Sequence, residues 1–106
     1  MPGAHPPFTL LLADDDPEDR MLAREALRES RCANPLDTVG DGEELLLYLR
    51  RLGPFAALRG TPLPGLILLD LNMPRRDGRD ALREIKADPE LRRIPVVVLT
   101  TSRAEE

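Results

Sequence analysis

The sequence has one cysteine and one histidine in 106 residues. A single thiol, Cys32, makes neither an internal disulfide nor a cysteine-based metal site. The histidine, His5, lies in the proline-rich start "MPGAHPP". Residues 1–7 are expected to be a disordered lead, so histidine-based catalysis is not expected anywhere in the chain. No apolar run approaches the roughly 20 residues that span a bilayer. The N-terminus lacks a basic stretch followed by an apolar one, so it does not read as a secretory signal, and the cytoplasm is the expected location. The net charge is −4. No basic stripe in the sequence offsets it, which argues against a direct nucleic-acid binder or a binder of anionic membranes. The sequence contains no internal repeat and no low-complexity tract.

What is present is a chain of single-domain length. Its 42% hydrophobic and 32% charged residues suit one globular core. The run from Phe8 to Ala13, "FTLLLA", reads as a buried strand. Asp16 then suits a helix N-cap, Pro17 the first helical position, and Glu18 and Asp19 the acidic first turn. Leu22, Ala23, Ala26 and Leu27 share one face of that helix, which breaks near Ser30. Leu36 to Val39 is a second short strand. "GDGEELLLYLRRLG" reads as a second helix, with Leu45, Leu46, Leu49 and Leu52 on one face and Gly53 as its stop. Tyr48 is expected to be partly buried. "PFAALRGTPLPG" is a long connection. Gly65 to Asp70, "GLILLD", is a third buried strand. A third helix follows in "GRDALREIKADPELRRIP", with Ala81, Leu82 and Ile85 inward. "VVVLT", residues 96–100, is a fourth buried strand. Alternation of fully apolar strands with helices predicts an α/β fold with a parallel sheet covered on both faces.

In such a sheet, ligands bind beyond the carboxyl ends of the strands. Three polar groups fall there: Asp14 and Asp15 after the first strand, Asp70 at the end of the third, and Thr100 and Thr101 at the end of the fourth. Two carboxylates about 4 Å apart repel by roughly 4 kcal/mol at an effective dielectric near 20. Such a cluster needs a proton or a cation. Oxygen ligands without histidine or cysteine favour Mg²⁺ and its relatives over Zn²⁺, and a carboxylate can itself take a phosphoryl group. The competing reading of "DDDPED" is a helix start with acids at the positive end of the helix dipole. That reading does not explain an acid ending the buried run "GLILL".

With "LLLADDD", "LILLDLNMPRRDG" and "IPVVVLTTS" in this order, residues 8–106 resemble the receiver domain of two-component response regulators. The wording "LDLNMPRRDG" and the long connection before it look most like the stand-alone regulators that partner bacterial phytochrome kinases. The resemblance, and not the sequence pattern, implies a flavodoxin-like doubly wound sheet with strand order 2-1-3-4-5. It implies a phosphoryl group accepted on Asp70 from a sensor histidine kinase, a bacteriophytochrome, and output by protein–protein contact. It implies Mg²⁺ or Mn²⁺ on Asp15 and Asp70, with Asp14 acting through water and the backbone carbonyl of Asn72 as a ligand. Backbone N–H groups of Leu71, Asn72 and Thr101 would face the phosphoryl oxygens. Thr100 would be the switch residue, and Met73, Pro74 and Gly78 would shape the loop after the acceptor.

One departure concerns the lysine that the family places after a fifth strand. The only lysine here, Lys86, falls in the third helix. "SRAE", residues 102–105, has the form of a capping box at a helix start. The sheet is therefore expected to be 2-1-3-4, a receiver without its last helix, strand and helix. Two explanations stand side by side: these residues are part of a longer protein, or the chain pairs as a homodimer or exchanges elements as a domain-swapped dimer. Two functional rivals also remain. A Mg²⁺-dependent phosphatase would be expected to carry a second acid at position 72, where Asn stands. A receiver-like interaction module that is never phosphorylated is the other.

Overall fold

The computed structural model describes residues 8–71, 73 and 78–99. The expected disordered lead 1–7, and Asn72, Pro74, Thr100 and Thr101, lie outside these residues. The elements run β1 (Leu10–Ala13), α1 (Pro17–Glu29), β2 (Leu36–Val39), α2 (Gly42–Arg50), a 3₁₀ helix (Gly53–Leu58), β3 (Leu66–Asp70), α3 (Gly78–Ala87), a 3₁₀ turn (Leu91–Arg93) and β4 (Val96–Leu99). All strand pairs are parallel, in the order β2-β1-β3-β4. This is the expected four-strand order.

Strand alternation divides the apolar side chains between two faces. Leu11, Ala13, Ile67 and Leu69 point to the larger core, where Leu45, Leu49, Ala81 and Ile85 of α2 and α3 meet them. Leu10, Leu12 and Leu36 point the other way, toward Ala23 and Leu27 of α1. Each fully buried Leu or Ile of the larger core stabilises the fold by roughly 1.5–3 kcal/mol.

Several expectations need correction. β1 begins at Leu10, and Phe8 lies outside it with its ring against Gly65. Only Ala23 and Leu27 of the expected α1 face pack on the sheet; Ala26 is exposed and Leu22 is 58% exposed. β4 is not buried on both sides, since Val97 and Val98 are 46% and 40% exposed. The common cause is that, among the described residues, β4 has a strand partner on one side only and α1 alone supplies helix packing on its face of the sheet.

The end of α2 also differs from expectation. Gly53 is not the stop. The left-handed residue is Arg51, at φ 57° and ψ 46°, and Leu52 beyond it is exposed. A non-glycine residue in that region costs roughly 1–2 kcal/mol. The Arg51 guanidinium offsets the cost by donating to the carbonyls of Tyr48, Thr61 and Pro62 and lying 5.2 Å from the Tyr48 ring centroid. Tyr48 is fully packed, edge-to-face with Phe55 of the first 3₁₀ helix, and its hydroxyl donates to Asp37. The long connection therefore contains an anchored helical turn.

Candidate metal centre

Asp14 follows β1 directly. Its N–H donates to the Val39 carbonyl at 3.0 Å, so β2 fixes where the chain leaves the sheet. One Asp14 carboxylate oxygen accepts the N–H of Asp16 at 2.9 Å. Asp16 in turn accepts the Glu18 N–H at 2.9 Å, capping α1 as expected. Pro17 occupies the first turn, where a missing N–H costs nothing. The three consecutive acids thus part ways: Asp16 serves the helix, while Asp14 and Asp15 remain at the strand end.

Asp70 is the last residue of β3 and is completely buried. Because β1 and β3 are neighbours in register, with Ala13 opposite Leu69, their ends bring Asp70 beside the Asp14–Asp15 pair. One carboxylate oxygen from each of Asp14, Asp15 and Asp70 lies within 4.8 Å of the others. Asp14 and Asp70 are buried and Asp15 is half-buried. Burial pushes the Asp14 carboxyl above its usual range. The charges of Asp19, Asp70 and Asp15 add to the shift, against the lowering effect of the Asp16 N–H.

These donors fit a hard divalent cation. Three carboxylates converge, all ligand atoms are oxygen, and burial makes their mutual repulsion costly without a positive partner. The donor set does not suit a soft metal.

Two described residues beyond Asp70 are closely placed against the fold. Met73 is buried in the larger core. Gly78 opens α3 so close to the strand end that a Cβ there would stand 2.8 Å from the Asp70 carbonyl oxygen and 2.8 Å from the Leu71 Cα. Only glycine fits that approach. Lys86 lies in the last turn of α3, eight residues or about 12 Å along the helix from Gly78.

Two neighbours of the cluster are not expected from the sequence to act on it: Asp19 reads there only as a helix-start acid, and Arg20 is not among the candidate residues. Asp19 acts on Asp14 electrostatically from the first turn of α1. Arg20 donates from Nη1 to the Asp14 carbonyl. Helical spacing from Asp16 was the available signal, since it turns both residues back toward the start of α1.

The family described as "Response regulator receiver domain" matches residues 10–106. The chain belongs to the response regulator receiver family. The receiver is 44% identical over 103 residues to the response regulator Rcp1 of Synechocystis sp., covering 97% of this chain and 68% of that protein. The Mn²⁺-bound structure of Rcp1 matches with TM-score 0.81, covering 93% of this chain and 69% of that one. The phosphorylated cyanobacterial phytochrome response regulator RcpA matches at 47% identity and TM-score 0.81, covering 92% and 68%. The bacteriophytochrome response regulator AtBRR matches at 38% and 0.85, covering 93% and 70%. The receiver thus spans about 70% of each solved relative and shares its flavodoxin-like sheet. Its role is that of a phosphoacceptor response regulator, a signalling module of two-component systems.

Proposed function

We propose that Asp70 accepts the phosphoryl group, that the donor is a phosphohistidine of a sensor histidine kinase, and that Mg²⁺ is the cation. The observation that carries this reading is the convergence of Asp14, Asp15 and the fully buried Asp70. A carboxylate oxygen of Asp70 bonds to phosphorus as the phosphorus–nitrogen bond of the donor breaks. The electron pair left on the imidazole takes up a proton. A bound cation, Mg²⁺ or the Mn²⁺ seen in Rcp1, neutralises phosphoryl charge at the site.

In this reading Asp14, Asp15 and Asp70 hold the cation together with the backbone carbonyl of Asn72. Asp16 is occupied as a helix cap. Backbone N–H groups of Leu71, Asn72 and Thr101 bind the phosphoryl oxygens, and Thr100 is the switch residue whose hydroxyl turns toward them. RcpA and AtBRR are phytochrome and bacteriophytochrome response regulators, which supports a bacteriophytochrome as the kinase. The reading places the receiver, residues 8–106, in the cytoplasm with output by protein–protein contact. Any further chemistry is confined to self-phosphorylation and self-dephosphorylation. Among the described residues no helix is long and apolar enough to cross a membrane.

The test is labelling of the full-length protein by acetyl phosphate, with and without Mg²⁺. Wild type gains a phosphoryl group only with Mg²⁺, while Asp70→Asn gains none and Asp15→Asn gains little. Undiminished labelling of Asp70→Asn overturns the assignment.

A further inference from the structure

Folding α1 produces a charge pattern that the linear sequence hides. Arg20, Arg24 and Arg28 recur at i, i+4 and i+8, so they form one row along the helix. Of the helical acids, Glu18 and Glu29 fall on a different flank, while Glu25 stands three residues before Arg28 at the border of the row. The absence of a basic stripe, read from the sequence, is corrected here: the receiver is acidic overall but carries a local basic row. Among the described residues, none of these three guanidiniums has a carboxylate oxygen within 4.0 Å. Two are instead fastened to backbone. Arg20 donates to the Asp14 carbonyl, and Arg24 donates to the Leu36 carbonyl at 3.0 Å. The row is thereby held along the β2 side of the sheet, and β2 is an edge strand.

Beside it runs a groove of about 320 Å³, lined by Arg24, Arg28, Leu27, Cys32, Asn34 and Leu36. Its floor is apolar, formed by Leu27 and Leu36 of the smaller core cluster. Its rim is guanidinium. Arg24 occupies the Leu36 carbonyl at the sheet edge, so an incoming chain lies in the groove and does not pair with β2 at that point.

We infer that this groove between α1 and residues 32–36 docks an acidic polypeptide segment that carries an apolar side chain. The apolar residue enters the floor and its flanking carboxylates meet Arg24 and Arg28. Charge complementarity selects the occupant. The net charge of −4 opposes long nucleic acids and extended anionic membranes, which meet the whole surface, while a short acidic segment meets only the row. The groove lining contains no residue of the acid cluster, and the inference does not depend on which residue is phosphorylated.

The test uses the full-length protein and a fluorescein-labelled heptapeptide of sequence EDELEDE, read by fluorescence anisotropy. Arg24→Glu/Arg28→Glu is expected to weaken binding at least tenfold. Arg28→Glu alone, whose guanidinium makes no hydrogen bond or ion pair among the described residues, weakens it several-fold. Arg83→Glu, on α3, leaves it unchanged. Replacing the peptide's leucine by serine also weakens binding, and so does added salt, as expected for exposed charges. Equal binding by wild type and the double variant, with both folded by circular dichroism, overturns the inference. So does tighter binding of a DNA duplex or of phosphatidylserine vesicles than of the peptide.

Discussion

Gly78 at the start of α3 and Asp70 at the end of β3 touch through backbone alone: a Cβ on Gly78 would lie 2.8 Å from the Asp70 carbonyl oxygen. The helix that follows the proposed acceptor is therefore seated on the acceptor's own peptide unit. Gly78→Ala has to push the two apart. Overpacking of this kind costs about 1–3 kcal/mol, read as a lower midpoint of urea unfolding. The same variant is expected to slow acetyl phosphate labelling, because the shift falls at Asp70. Unchanged stability would mean that the approach is looser than described.

Burial separates two leucines that look alike in the sequence. Leu11 is completely buried in the larger core, whereas Leu22 is mostly exposed on α1. Leu11→Ala is expected to cost about 2–5 kcal/mol, and Leu22→Ala no more than about 0.5 kcal/mol. Denaturant midpoints of the two variants check the contrast.

The Arg51 conformation predicts an ordering. Arg51→Ala loses the guanidinium bonds to three carbonyls and keeps the left-handed strain. Arg51→Gly loses the same bonds but relieves the strain. Both unfold below wild type, with the glycine variant the more stable by about 1 kcal/mol. Thermal unfolding followed by circular dichroism reads the order.

Tyr48 sets a pH limit. Burial pushes its hydroxyl up to about 12, helped by the hydrogen bond to Asp37 and the Asp37 charge, and opposed by Arg51. A pKa raised on folding favours the folded state fully below the unfolded value near 10, and that advantage is lost as pH rises toward 12. About 2–3 kcal/mol should disappear across this window. In Tyr48→Phe that loss is absent. A wild type and variant that fall in parallel between pH 10 and 12 would contradict the assignment.

The strands and the acid cluster were legible because their signals are local. Apolar runs ending in Asp14 and Asp70 mark strands with a polar task at the carboxyl end, and parallel topology then brings the ends together. What periodicity could not supply was the presence of a covering element. Leu22, Val97 and Val98 have the composition of buried residues, yet burial requires a neighbour that apolar spacing alone does not specify. Arg51 escaped notice for a different reason. Gly53 is the intrinsically better helix stop, and only the tertiary contacts to Tyr48, Thr61 and Pro62 make the arginine conformation affordable. Arg20 and Asp19 look like ordinary surface charges until α1 is placed over the end of β1.

The central claim is that Asp70, supported by Asp14 and Asp15, is where the phosphoryl group resides. Borohydride reduction of the acyl phosphate, followed by peptide mapping of the full-length protein, locates it most directly. The prediction is conversion at Asp70 alone, dependent on Mg²⁺ during labelling. Conversion at Asp14 or Asp15, or labelled protein with Asp70 unchanged, would contradict it.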